Sequence, residues 1–142
     1  MLVSHRIDHD AKVIITIFAP EEVSLDMFFD AFKNYQEELK YLPDYHDYHE
    51  LVDFRPITNL NITPSELKEF SSMTMAADRG EFITRLALLV DSRPAFTLAK
   101  LYEMLRNLTP GSKKQVRVFR DMDEAYAWLK QEPARRVHQP AG

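Results

Sequence analysis

The feature that most constrains the fold is an apolar run near the start of the chain, residues 13–19, with the sequence Val-Ile-Ile-Thr-Ile-Phe-Ala. Its β-branched side chains favour a strand, and the lack of polar alternation indicates that the strand is buried on both faces. Such strands are typical of parallel sheets that are covered by helices. The run therefore predicts the central strand of an α/β protein.

Amphipathic helices alternate with the predicted strands. Their starts lie at Ser24, at a capping box with an early proline (residues 63–66), at Pro94 and at a second capping box (residues 121–124). The inner face of the third helix is predicted from its apolar spacing to hold Leu98, Leu101, Tyr102, Leu105 and Leu108.

The order of the predicted elements is β-β-α-β-α-β-α-β-α. Strands are predicted at residues 2–7, 13–19, 51–54, 85–91 and 115–119, and the first two form a hairpin. This order predicts a mixed, mostly parallel sheet of about five strands, with an antiparallel strand from the N-terminal hairpin and four helices. A length of 142 residues fits one domain, predicted at residues 1–132. Residues 133–142 show no apolar period and are predicted to form a mobile C-terminal tail.

The composition argues against several kinds of functional site. The chain has three glycines, and one of them is the last residue. Dinucleotide and phosphate loops need several glycines, because the backbone must turn sharply and approach the phosphates closely. The chain has no cysteine, which excludes disulfides, thiolate nucleophiles and cysteine-ligated metals. We therefore expect no catalytic residues, no cofactor and no metal.

The location is predicted from the absence of targeting signals. Residues 1–8 lack the basic and then apolar pattern of a signal peptide. The longest apolar run is far shorter than the ~20 residues that span a bilayer. We expect a cytoplasmic protein without membrane insertion.

Three stretches of the chain carry a family resemblance. They are Glu-Leu-Val-Asp-Phe-Arg at 50–55 followed by Ile-Thr-Pro-Ser-Glu-Leu at 62–67, the strand at 86–90 leading into the helix at 95–105, and the strand at 116–121 with the helix at 123–129. They resemble the STAS-type fold of bacterial anti-sigma-factor antagonists of the SpoIIAA kind. The likeness is closer to the small SpoIIAA-like, or STAS/SEC14-like, bacterial proteins of unassigned role, and it covers roughly residues 4–130.

The antagonists place an Asp-Ser-Ser/Thr-Gly segment at a helix N-terminus, about eight residues after the aspartate of the preceding strand. Counted from Asp53, the corresponding segment is 61–64, Asn-Ile-Thr-Pro. The resemblance places Thr63 at the phosphorylated hydroxyl, with Asn61 at the aspartate and Pro64 at the glycine. A phosphate would suit the free amides at a helix N-terminus. Thr63 is therefore either a phosphoacceptor or simply the N-cap of its helix.

Charged residues follow several of the predicted strands. Asp53 and Asp91 end strands, and Arg55 and Arg93 come directly after them. Ligands of open parallel sheets bind outside the carboxyl ends of the strands, so these residues could bind an anion or perform acid–base chemistry. The alternative is that they pair with one another and cap helices.

Two further motifs carry weaker predictions. His46 and His49 have the spacing of a metal-binding pair on a helix, but the proline and the tyrosines around them favour a solvated loop. The basic stretch 113–117 lies in a chain with a net charge of -4, so we expect a solvated surface and no nucleic-acid partner.

The first helix is rich in aromatic residues, with Phe28, Phe29, Phe32 and Tyr35 at helical spacing beside Met27. Such residues usually belong to the core, although they also suit a dimer face or an apolar ligand.

Our leading hypothesis is a non-catalytic regulatory module that binds an unknown protein partner through residues 55–63 and the N-terminus of the helix that follows. Such a module could also form a homodimer. The alternative hypothesis is a binder of a small apolar, lipid-like, or anionic ligand. A third is an enzyme that uses Asp53, Asp91 and Arg93.

Overall fold

The computed structural model describes residues 2–78 and 81–137. The strands in these residues are β1 (Val3–Asp8), β2 (Val13–Phe18), β3 (Glu22–Ser24), β4 (His49–Asp53), β5 (Asn59–Asn61), β6 (Phe82–Leu89), β7 (Lys114–Phe119) and β8 (Arg135–Arg136). The helices are α1 (Leu25–Tyr35), α2 (Pro64–Ala76), α3 (Arg93–Leu108) and α4 (Met122–Leu129). A π-helical turn, Gln36–Lys40, extends α1, and a short 3-10 turn occupies Pro43–Tyr45.

The main sheet has the strand order β1-β2-β4-β6-β7. β1 is antiparallel to β2, and the pairs β2–β4, β4–β6 and β6–β7 are parallel. The predicted mixed sheet with its N-terminal hairpin is confirmed. Two small additions were not predicted: β3 pairs with β5 in a separate parallel sheet, and β8 pairs with the start of β6. Their strands of two or three residues are too short to show a periodic pattern.

The placement of the helices follows from the strand order. Strands β2, β4, β6 and β7 of the main sheet lie side by side in chain order, and right-handed crossovers then place every helix that connects them on the same face. Side chains of α1, α2 and α3 accordingly pack on one face, against Phe18, Leu86 and Leu88. α4 follows β7 and covers the opposite face, where Trp128 and Leu129 join the second core.

The alternation of side chains along β6 divides these two cores. Leu86 and Leu88 belong to the core under α1–α3, whereas Ala87 and Leu89 belong to the core under α4. Because neighbouring residues of a strand point to opposite faces, a strand between two helix layers must be apolar at nearly every position. This requirement explains why β2 is apolar at every position but Thr16 and why β6 is apolar throughout its second half, residues 86–89.

The predicted inner face of α3 is wrong in part. Its buried residues are Ala95, Ala99, Tyr102 and Arg106, while Leu108 is 75% exposed. The predicted and observed faces differ by a rotation of the helix about its axis: the leucine-rich face is the more hydrophobic in sequence, whereas the buried face carries two alanines, a tyrosine and an arginine. α3 therefore presents small and polar groups to the sheet, which shapes the site described below.

The end of the described chain returns to the sheet. The Arg136 side chain forms an ion pair with Glu81, and the Val137 amide donates to the Glu81 carbonyl at 2.6 Å. Residues 138–142 of the predicted tail lie outside the described residues, so its mobility remains a prediction. Within residues 2–78 and 81–137, none of the helices has the length and apolar character needed to cross a membrane.

His49 joins this C-terminal region to β4 and β6. Its Nδ1 accepts from the Arg85 amide at 2.8 Å, and its Nε2 donates to the Glu132 carbonyl at 2.9 Å. An imidazole with one acceptor and one donor nitrogen is neutral. Burial, followed by repulsion from Arg85 and two lysines, lowers the pKa of His49 despite the bond to Glu132.

We expect stability to fall as the pH drops below the ordinary histidine pKa of 6.5. The unfolded chain then takes up a proton that the folded His49 resists, so the free energy of unfolding decreases until the lowered folded pKa is reached. Urea unfolding between pH 7.5 and 5 would measure this loss, and His49→Gln should flatten it. His5, whose pKa burial also lowers, should leave a residual slope. An unchanged slope in His49→Gln would contradict this assignment.

Candidate functional site

A cavity of about 150 Å³ lies between the main sheet and helices α1, α2 and α3. We call it the apolar cavity, because most of its lining is aromatic or aliphatic. The apolar side chains that line it include Phe18, Phe28, Phe32, Val52, Phe54, Ile62, Leu67, Phe70, Leu86, Leu88, Leu98 and Tyr102. Protein interiors are usually packed too closely to leave a void of this size.

The space exists because small residues of two helices face the sheet. Ala31 of α1 and Ala95 and Ala99 of α3 line the cavity. Around them the aromatic rings support one another, and the ring of Phe70 lies 5.6 Å from that of Phe28 and 6.0 Å from that of Tyr102, centre to centre. An apolar cavity of roughly 150 Å³ is large enough to stay dry and to admit a molecule of the size of benzene.

Polar groups also line the cavity, and the first set surrounds Glu50. The Tyr35 hydroxyl donates to Glu50 Oε2 at 2.6 Å, and Lys114 Nζ forms an ion pair with Glu50 Oε1. Lys114 Nζ also donates to Thr84 Oγ1 at 3.2 Å. The side chains of Glu50 and Lys114 are only 7% and 13% exposed. Burial raises the pKa of Tyr35 and lowers the pKa of Lys114 well below its usual value.

The second set surrounds Arg106, whose side chain is 1% exposed. Its Nη2 donates to both carboxylate oxygens of Asp78 at 2.9 Å, and its Nη1 donates to Thr74 Oγ1 at 3.1 Å. Thr74 Oγ1 is also hydrogen-bonded to the Tyr102 hydroxyl at 2.8 Å. Arg106 Nε is buried and has no hydrogen-bond partner in the described part of the chain.

The two sets meet at the amino-terminal edge of the parallel strands. Glu50 lies near the start of β4, and Lys114 is the first residue of β7. The amide of the preceding Lys113 donates to Asp78 Oδ2 at 3.0 Å, which links the two sets. We call Tyr35, Glu50, Asp78, Arg106 and Lys114 the polar cluster.

A buried lysine lies beside the polar cluster but outside the cavity lining. Lys40 Nζ donates to the carbonyl oxygens of Tyr45, His46 and Tyr48 at 3.2, 3.4 and 2.8 Å. Burial lowers the pKa of Lys40 to about 8, against the opposing attraction of Asp47. The ammonium group therefore stabilises the turn before β4.

The residues predicted at the carboxyl edge form a different arrangement. Asp53, which is buried, accepts from Arg55 through three bonds of 3.0 Å, from the amide, Nε and Nη2. These hydrogen bonds, followed by the carboxylates of Asp53, Asp91 and Asp121, raise the pKa of Arg55. Arg93 is exposed at the start of α3. The carboxyl edge therefore holds a closed ion pair, whereas the apolar cavity lies against the polar cluster at the other edge.

Comparison with known proteins identifies the fold. No family model and no curated protein sequence matches the chain. A solved structure of an uncharacterized protein of the DUF3478 family from Shewanella loihica PV-4, described as having a SpoIIAA-like fold, matches with a TM-score of 0.54. The match covers 89% of this chain and 91% of that one, at 12% sequence identity. This chain has a SpoIIAA-like fold.

The loop that the SpoIIAA resemblance singled out is built around a helix cap. The Glu66 amide donates to Thr63 Oγ1 at 3.1 Å, and the Thr63 amide donates to Glu66 Oε1 at 2.9 Å. Thr63 is exposed, and Asn61 is exposed at the end of β5. The predicted N-cap is thus present, and phosphorylation of Thr63 remains a prediction.

Two predictions about the histidine pair and the basic stretch are wrong in part for this SpoIIAA-like chain. The predicted solvated loop is wrong at His49, which is buried in β4, whereas His46 Nε2 contacts the Tyr41 carbonyl at 2.9 Å. The predicted solvated basic stretch is wrong at Lys114, which is paired with Glu50. The part of the chain in residues 2–78 and 81–137 contains no group of three side chains suited to a metal ion.

The polar cluster could not be predicted from the sequence, because its members have ordinary sequence contexts. Glu50 and Lys114 each lie one residue before a predicted strand, at a position where charged side chains are common. Arg106 offered a usable signal, since it continues the helical spacing of Ala95, Ala99 and Tyr102. An arginine on the same helix face as two alanines indicates that a polar side chain faces the core. The small alanine side chains then leave unfilled space next to it.

Breaking the buried Glu50–Lys114 ion pair should destabilise the folded protein. Lys114→Met leaves the Glu50 carboxylate buried without its cation, and we expect a loss of about 3 kcal/mol in the free energy of unfolding. The double variant Glu50→Leu/Lys114→Met should recover most of this loss, since no charge is then left unpaired. Urea unfolding of both variants measures the difference. A double variant that is less stable than Lys114→Met would contradict the coupling.

Proposed function

We propose that this SpoIIAA-like protein is a non-catalytic binding module that holds a small, mainly apolar ligand in the apolar cavity. The observation that carries the proposal is the cavity itself, an apolar space of about 150 Å³ with polar groups at one edge. Ligand sites are commonly concave, mostly apolar and equipped with a few convergent polar groups.

The volume of the cavity limits the size of the ligand that it can hold. Roughly 150 Å³ of apolar space is known to bind benzene. This volume favours a molecule built on a single ring or a short branched chain over the long acyl chains that lipid-transfer proteins carry. The alanines of α1 and α3 determine this volume, because any larger side chain at these positions would occupy it.

A binding role without catalysis is supported by the pairing of the charged groups. Glu50 pairs with Lys114, Asp78 with Arg106 and Asp53 with Arg55. An acid or base that is committed to a buried ion pair is poorly placed to exchange protons with a substrate. The cytoplasmic location stays part of this proposal.

Toluene should bind to the wild-type protein and shift the methyl resonances of Leu67, Leu86 and Leu88, which line the cavity. Ala99→Leu should weaken this binding by about tenfold or more, since the larger side chain fills the space. Titration followed by methyl NMR measures both affinities.

The matched control is Ala127→Leu, because Ala127 is exposed on α4, on the other face of the sheet. This variant should bind toluene as the wild type does. Failure of the wild type to bind, or equal binding by Ala99→Leu, would contradict the proposed function.

A second candidate function is regulation through a protein partner, another protein or a second copy of this chain. It is favoured by one observation: Arg55, Asn59, Asn61 and Thr63 are all exposed on the segment that leads into α2. Phosphorylation of Thr63 would place a dianion at the N-terminus of this 13-residue helix, where the amide groups and the helix dipole favour negative charge.

Thr63→Asp tests this second candidate without loss of the cap, because aspartate is a good N-cap residue. We expect Thr63→Asp to change the affinity for a partner identified by cross-linking by about tenfold, while the free energy of unfolding stays within about 0.5 kcal/mol. Ser65→Asp, one residue inside α2, is the control. Equal effects of the two variants would contradict a specific role for Thr63.

A further inference from the structure

We propose that the ligand of the apolar cavity is an uncharged molecule with a ring-sized apolar body and one hydrogen-bond acceptor, a carbonyl or hydroxyl oxygen, that binds Arg106. This inference rests on the proposed function and specifies the chemistry of its ligand. It follows from the charge balance and from the hydrogen-bond balance of the polar cluster.

The charge balance excludes an anionic ligand. The guanidinium of Arg106 is already neutralised by the bidentate contact with Asp78, and Lys114 is already paired with Glu50. The net charge of the Lys114–Glu50 pair is zero whether the shared proton is on the lysine or on the glutamate. A carboxylate in the cavity would therefore be desolvated beside two acidic side chains without a free cation.

The charge balance excludes a cationic ligand for the same reason. Each carboxylate of the polar cluster has its own cation, at contact distance and almost fully buried. A ligand ammonium would lie close to Arg106 and Lys114, with no unpaired carboxylate to compensate its lost hydration. An uncharged ligand avoids both penalties.

The hydrogen-bond balance indicates an acceptor. Arg106 Nη1 and Nη2 have acceptors in Thr74 and Asp78, and the Tyr35 hydroxyl donates to Glu50. Arg106 Nε carries an N–H that is buried and unpartnered in the described residues. Leaving such a donor without an acceptor is unfavourable, so a ligand oxygen that meets it gains affinity and selectivity.

Three probes of similar shape and size separate the alternatives: acetophenone is uncharged and carries an acceptor, benzoate is an anion, and cumene is uncharged without an acceptor. We expect acetophenone to bind at least about tenfold more tightly than benzoate. Arg106→Lys keeps a cation for Asp78 and removes Nε. This variant should weaken the binding of acetophenone by about fivefold and leave the affinity for cumene within about twofold of that of the wild type.

Arg135→Lys is the matched control, because Arg135 Nε is also buried and has no partner among the described residues, but Arg135 does not line the apolar cavity. It should leave all three affinities unchanged. A direct readout on the wild type needs no substitution: the Nε–H resonance of Arg106 should move downfield with acetophenone and stay in place with cumene.

Each outcome decides between the claims. Tight binding of benzoate overturns the uncharged ligand. Equal effects of Arg106→Lys on acetophenone and cumene, or an unmoved Nε–H resonance, overturn the acceptor, while binding of cumene leaves the proposed function standing. Failure of all three probes and of toluene to bind overturns the proposed function together with this inference.

Discussion

The structure depends on one topological constraint: strands β2, β4, β6 and β7 of the main sheet lie in chain order, so the helices that connect them share a single face of the sheet. Three helices then pack side by side over the same strands, whereas α4 is the one helix of the described residues that covers the other face. The crowded face contains the alanines, the aromatic rings and the apolar cavity. The face under α4 contains Val13, Ile15, Leu51 and Trp128, all at most 9% exposed.

The polar cluster shows how charges are tolerated beside an apolar space. Burying a charged group is unfavourable because the group loses its hydration. Here direct ion pairing and additional hydrogen bonds with Tyr35, Thr74 and Thr84 offset that loss. Such a cluster contributes little net stability, but it gives one edge of the cavity a defined arrangement of donors. Within residues 2–78 and 81–137, Arg106 Nε has no acceptor in this arrangement.

Much of the fold could be predicted from the sequence, because buried strands and capped helices leave local patterns. The Thr63–Glu66 capping box and the apolar strands β2 and β6 are examples. The site could not be predicted in the same way. The ligand-binding tendency of carboxyl edges pointed to Asp53, but its pairing with Arg55 closes that position. Glu50, Lys114 and Arg106 come together only through tertiary contacts, and the rotation of α3 that buries Arg106 is hidden by the leucines beside it.

The central claim is that the space between the sheet and α1–α3 accepts an apolar guest in the folded protein. A crystal of the protein pressurised with xenon tests it most directly, since xenon enters apolar cavities of this size without any polar contact. We expect a xenon atom in the cavity, in contact with Phe28, Phe70 and Leu88. A difference map without xenon among these side chains, or a cavity filled by rearranged side chains, would contradict it.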